Sequence, residues 1–155
     1  MKSICIVFLS GLLVACSQQT AAPLLTGLHH SPEPDGRWML INYWAIWCHP
    51  CRAEIPELNE FAVEYASDTV VYGVNYDEVD NDTLLTQAED LGIAFPLLTS
   101  DPAQSLDYAR PMVLPTTMVI SPDGEVWARL IGPQTVDSLA AAMQSEKQQL
   151  GPPIH

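Results

Sequence analysis

The amino-acid sequence predicts an α/β domain, a central mixed sheet with helices flanking both faces. Apolar runs of strand length alternate with segments whose apolar residues recur at helical spacing. A strand, a helix and a second strand in that order make a parallel pair with a right-handed crossover. Further along, two strand-like segments joined by an Asp-Gly turn add an antiparallel hairpin to the same sheet.

The first strand is WMLINYWA at 38–45, so nearly unbroken in apolar residues that it must be covered on both faces. Residues 49–66 follow as an amphipathic helix. Ile55, Leu58, Ala62 and Tyr65 form its inner face, and Arg52, Glu57, Glu60 and Glu64 read as solvated. Pro56 should kink it, because proline removes a backbone donor and crowds the preceding turn. TVVYGVNY at 69–76 is rich in β-branched and aromatic residues and reads as the next strand. In 80–91, Asp and Asn residues offer caps, Leu84, Leu85, Ala88 and Leu91 share a face, and Gly92 is a stop signal. PLLTS at 96–100 reads as a short edge strand, and 102–109 as one or two helical turns. TTMVI at 116–120, the turn at Asp123 and Gly124, and EVWARLI at 125–131 make the hairpin. Val136, Leu139, Ala140 and Met143 mark a last helix, before a Gly-Pro-Pro tail that cannot continue it.

A chain of 155 residues is long enough for one such domain. Its 6 basic and 19 acidic residues, a net charge of -13, repel nucleic acid and anionic lipid headgroups alike. At the start, Lys2 precedes the apolar run ICIVFLSGLLVA at 4–15, too short to span a bilayer and about right for a secretory leader. LVAC at 13–16 resembles the lipobox of bacterial lipoproteins, which implies that Cys16 becomes the lipidated first residue. Ordinary cleavage near Ala15, Ala21 or Ala22 is the alternative. Ser17 stands where an aspartate would signal retention at the inner membrane, so the outer membrane is favoured. The expected organisation is a signal peptide at 1–15, a lipidated tether at 16–37, the folded domain at 38–149 and a disordered tail at 150–155. The protein is expected on the periplasmic side of a bacterial cell envelope.

This organisation changes the cysteine count. Cys5 leaves with the leader and Cys16 carries lipid, so Cys48 and Cys51 remain as thiols, and a scaffold of several disulfides is excluded. They lie in WAIWCHPCRAE at 44–54, at the mouth of the first helix. Unpaired backbone N–H groups and the helix dipole stabilise negative charge there. Cys48 is thus the candidate nucleophile with a lowered pKa, and Cys51, deeper in the helix, the resolving thiol.

INYWAIWCHPCRAEIPEL at 41–58 resembles the active-site segment of the thioredoxin superfamily, in particular its exported TlpA/ResA/DsbE-like branch with a WCxxCxxExP pattern. VLPTTMVISPDGEV at 113–126 resembles the second hallmark of that family, a loop whose proline faces the cysteines. The resemblance covers residues 38 to the last helix and implies a thioredoxin fold. It implies a cis bond before Pro115, which would shield the sulfurs from stray metal. Leu114 and Thr116 would present backbone groups to an extended substrate segment. Trp47 would either pack beside the cysteines and shape that surface or belong to the core. Asn42 stands where thioredoxins proper carry a buried aspartate. Glu54 matches the glutamate of the exported branch and would relay a proton to or from Cys51; a solvated helix-face carboxylate is the alternative. A protonated His49 would favour the Cys48 thiolate, whereas Pro50 also occurs in reducing relatives, so the dipeptide leaves the direction of electron flow open. An exposed His49 with no electronic role is the plainer reading.

The function implied is an envelope thiol-disulfide oxidoreductase, reducing disulfides of exported proteins through the Cys48–Cys51 dithiol. A disulfide donor, oxidase or isomerase, is the alternative, and a copper-handling module a further one. No organic cofactor is needed and no metal is expected. The expected partners are protein thiols and disulfides, a membrane electron donor of the DsbD/CcdA type if the protein is a reductant, and the membrane itself through Cys16; the protein is expected to be a monomer. Cytochrome c maturation is one role within the family, but Val113 and Leu114 precede Pro115 where DsbE-like proteins tend to have a glycine. Structural zinc wants four ligands, and the mature domain offers two thiols plus His49, with His29 and His30 in the tether and His155 at the end. A purely structural disulfide closing so short a loop would constrain the unfolded chain little. Peroxide chemistry would want a PxxxTxxC stretch, which is lacking.

Overall fold

A computed structural model describes residues 35–145. The leader, the lipidation residue Cys16, nearly all of the tether and the tail lie outside the described residues. The elements are β1 (Trp38–Trp44), α1 (His49–Glu64), β2 (Thr69–Asn75), α2 (Asn81–Leu91), β3 (Leu97–Leu98), β4 (Thr116–Ile120), β5 (Val126–Ile131) and α3 (Val136–Gln144). They form one five-stranded sheet in the order β3-β2-β1-β4-β5. β1 pairs parallel with β2 and antiparallel with β4; β3 extends the parallel side and β5 the antiparallel side.

β1 sits at the centre, and its pleat divides the core. Leu40 and Trp44 enter one cluster, Met39, Ile41 and Tyr43 the other. The β1–α1–β2 and β2–α2–β3 crossovers step the same way across the sheet, so a common right hand puts both helices on one face. α3 joins them there: Ile55, Leu58 and Phe61 of α1, Leu84 and Ala88 of α2, and Leu139 and Ala142 of α3 share one cluster with Leu40 and Trp44. Between the strands, Gly73 leaves room for this packing, since a Cβ there would lie 2.9 Å from both Leu97 and the Trp44 indole.

Both faces are covered, as expected, but among the described residues all three helices lie on the same one. The second face is closed by segment 101–110, which contributes Ala103 and Tyr108. The helical turns expected at 102–109 are instead a set of turns, with Leu106 N–H bonded to Pro102 O, Tyr108 N–H to Ala103 O, and Asp107 at φ 52°. Bonds to distant residues account for the difference. Tyr43 Oη donates to Asp101 Oδ1 at 2.6 Å and lies 2.9 Å from Tyr108 Oη, while Arg110 pairs with Asp101 at 2.7 Å and donates to Tyr76 O. The segment is pinned to the sheet at both ends, and its backbone follows the pins.

Local signals behave as their chemistry requires. Asp80 caps α2 by accepting from the N–H groups of Asp82 and Thr83, and Gly92 ends it in the left-handed conformation at φ 72°. α1 continues through Pro56 to Glu64. Glu57, read from the sequence as solvated, is half-buried, and its Oε2 accepts the N–H of Val136 at 3.0 Å, the first residue of α3. The orphan donors of a helix N-terminus attract a carboxylate, and α3 packs close enough to supply them.

Candidate active site

One end of the sheet gathers the chemistry. Trp44 pairs with Asn75, Tyr43 with Thr116 and Thr116 with Ile131, so the ends of β1, β2 and β5 and the start of β4 lie together. Just beyond β1 the chain turns, with Cys48 N–H bonded to Ala45 O, and enters α1 with Cys48 as its N-cap. Cysteine is an unusual cap, but its Sγ does what a cap must, accepting from Cys51 N–H at 3.3 Å. Cys48 and Cys51 form a disulfide with their Cα atoms 5.3 Å apart, and both are buried, Cys51 completely. His49 and Pro50 occupy the exposed first turn between them, where a proline costs no hydrogen bond.

Trp47 belongs to the surface: it is 62% exposed, so the core alternative is overturned. Its indole N–H donates to Asp77 Oδ2 at 2.9 Å, and the backbone of Asp77 is itself held by Asn75 Oδ1. On the far side of the site the Leu114–Pro115 peptide bond is cis. Pro115 and Thr116 are buried and Leu114 half-buried, while Met112 and Val113 before them are exposed. The loop is tied down by Thr116 Oγ1 donating to Val113 O at 2.7 Å and by Gly132 N–H donating to Pro115 O at 2.9 Å.

Glu54 is the departure from an ordinary helix surface. It lies one turn after Cys51 on the same face of α1, and it is 1% exposed, which overturns the solvated alternative. Asn42 Nδ2 donates to its Oε1 at 2.7 Å, and Gln134 N–H to its Oε2 at 3.0 Å. Burial pushes the Glu54 carboxyl up to about 7, and the Asn42 and Gln134 hydrogen bonds pull against that rise. Asn42 also donates to Thr117 Oγ1 at 3.0 Å, directly across the β1–β4 pair. Thr117, Gln134 and Asp77 are the site residues that the sequence did not disclose. Thr117 could have been found from the register opposite Asn42; a backbone N–H such as that of Gln134 leaves no mark in a sequence. No group of three or more His, Cys, Asp or Glu side chains among the described residues is placed to hold a metal ion.

The family model described as AhpC/TSA matches residues 28–129. The chain belongs to the AhpC/TSA family. Among similar proteins, the thiol-disulfide oxidoreductase ResA of Geobacillus kaustophilus is 30% identical over 120 residues, 77% of this chain and 68% of that protein. The thioredoxin-like protein YneN of Bacillus subtilis is 30% identical over 105 residues, 66% of this chain and 61% of YneN, so the chain spans less than two thirds of that relative. The crystal structure of a secreted thiol-disulfide isomerase from Corynebacterium glutamicum superposes with a TM-score of 0.60 at 25% identity, covering 70% of this chain and 69% of that one. The AhpC/TSA domain here is therefore a thioredoxin-like α/β fold.

Proposed function

We propose that this protein is a thiol-disulfide oxidoreductase of the cell envelope that reduces disulfides in exported proteins. The observation that carries the reading is the position of Cys48: its sulfur caps α1, where backbone N–H groups favour a thiolate, with Cys51 one turn behind as its disulfide partner. In the reduced protein, the Cys48 thiolate attacks a client disulfide and displaces one client sulfur, which takes up a proton. Cys51 then gives up its proton, attacks Cys48 in the mixed disulfide and releases the second client cysteine as a thiol. Two electrons and two protons pass to the client, and the Cys48–Cys51 disulfide remains. Glu54, poised near neutrality one helical turn from Cys51, is the group to accept the resolving proton. Pro115 with Leu114 and Thr116 shapes the ground where the client segment lies, and Trp47 forms its opposite rim.

The names of ResA and of the secreted isomerase support thiol-disulfide exchange, that of the isomerase also an exported setting for its own protein, and the apolar leader at 1–15 followed by Cys16 supports such a setting here. In an oxidising compartment a reductant must be recharged, so the reading includes a membrane electron donor of the DsbD/CcdA type and a lipid anchor on Cys16. The test is the reduction potential of the Cys48–Cys51 pair, equilibrated against glutathione or dithiothreitol. A value near or below about -270 mV supports a reductant. A value near about -120 mV makes the protein a disulfide donor and reverses the direction.

A further inference from the structure

Glu54 is held by two other parts of the fold, β1 and the loop before α3, and through Asn42 it is linked to a third, β4. Asn42, at the middle of β1 and fully buried, donates both amide hydrogens, one to Glu54 Oε1 at 2.7 Å and one to Thr117 Oγ1 at 3.0 Å. Gln134 N–H takes the other carboxylate oxygen, and the Gln134 side chain donates to Gly132 O, whose own N–H holds Pro115 O. Thr117 lies two residues after Pro115 on β4. The carboxylate is therefore tied on both sides to the strand and loop that carry the proline.

An amide at position 42 has a chemical consequence. An aspartate in its place would set a second buried carboxylate within hydrogen-bond distance of Glu54, and two such groups cannot both ionise. An apolar residue would leave Oε1 and the Thr117 hydroxyl without this partner in a site closed to water. Asparagine donates to the ionised carboxylate without adding charge, and Thr117 Oγ1 holds the second amide hydrogen, which anchors the side chain. The influences on the charge of Glu54 are accordingly burial, the Asn42 amide and the Gln134 N–H, with no ionic partner among them.

Building on the proton-relay reading of Glu54, we propose that Asn42 is a positioning residue for the exchange reaction: with Thr117 as its anchor, it aims the Glu54 carboxylate and sets its proton affinity. Asn42 touches neither sulfur nor client. It acts through Glu54.

The experiment measures the reduction potential of the Cys48–Cys51 pair as a function of pH from 5 to 9 in the full chain, for the native protein and for Glu54→Gln, Asn42→Leu, Asn42→Asp and Thr117→Val. A potential-pH curve bends at each linked pKa. Glu54→Gln should remove the bend that belongs to the carboxyl. Asn42→Leu should move it up by about one pH unit, a tenfold change in proton affinity. Asn42→Asp should split it, and Thr117→Val, which keeps the shape of the side chain, should move it up by less. A bend that vanishes in Glu54→Gln but stays in place in the Asn42 and Thr117 variants overturns the role of Asn42 and leaves the relay standing. A bend that survives Glu54→Gln overturns both. If Asn42→Leu does not fold, Thr117→Val decides alone, an unmoved bend there counting against the proposal.

Discussion

The indole nitrogen of Trp47 lies 2.9 Å from a carboxylate oxygen of Asp77, so a ring that is 62% exposed is held in one orientation immediately before Cys48. Two elements cooperate in this: the turn after β1 presents the ring and the turn after β2 presents the acid. An exposed aromatic fixed in advance costs little entropy when a partner covers it, which is why tryptophan so often dominates protein interfaces.

Removing the ring should therefore hurt the reduction of protein disulfides more than that of small ones. Trp47→Ser is expected to lower kcat/KM toward a folded disulfide client by roughly tenfold, about 1.4 kcal/mol. Asp77→Ala, which keeps the ring but frees it, should lose a smaller part. Stopped-flow rates with a protein client and with oxidised glutathione check this; equal losses on both substrates would place Trp47 in the chemistry of Cys48 rather than in client binding.

Glu54 makes a separate prediction about stability. Its carboxyl, near 4.5 in an unfolded chain, is pushed up to about 7 in the fold. Between those values the folded protein keeps a proton that the unfolded chain has released, so the stability present below about pH 4.5 is lost as pH rises through 7. The loss is about 3 kcal/mol when complete. Glu54→Gln cannot ionise and should escape it. Melting temperatures of the disulfide form should favour the variant progressively from pH 5 to pH 8; parallel curves for the two proteins would mean that Glu54 titrates in the fold as it does in water.

How much of this the sequence disclosed depended on how local each cause was. The strands at 38–44 and 69–75, the helix capped by Asp80 and stopped by Gly92, and the hairpin around Gly124 all follow from periodicity and turn chemistry within a few residues. The CxxC pair was legible because its spacing carries the chemistry, and the proline at 115 through the resemblance of residues 113–126 to the second thioredoxin hallmark. The errors share a different origin. Segment 102–109 looked helical, but Tyr43, more than fifty residues away, holds Asp101 and Tyr108 in a turn. Glu57 shares a charged stripe with Glu60 and Glu64, and no local pattern separates the one that α3 partly covers from the two that remain in water, whereas Glu54 falls at helical spacing among Cys51, Leu58 and Phe61, a position that periodicity alone marks as inward.

Glu57 turns that difficulty into a measurement. Its carboxylate accepts the N–H of Val136, while Thr135 and Ser138 satisfy each other's backbone donors in a capping box at the same helix end. The box alone would cap α3; the added acid joins α3 to α1 and places negative charge at the positive end of the helix dipole. Glu57→Ala should cost about 1 kcal/mol, whereas Glu60→Ala, exposed on the same helix, should change stability by less than about 0.5 kcal/mol. Glu57→Gln keeps an acceptor without the charge and should fall between them, closer to the native protein at high salt, where the dipole is screened. Urea unfolding of the three variants at low and high ionic strength separates the hydrogen bond from the charge. If Glu57→Ala and Glu60→Ala lose the same amount, the bond to Val136 adds nothing to the packing that already holds α3 against α1.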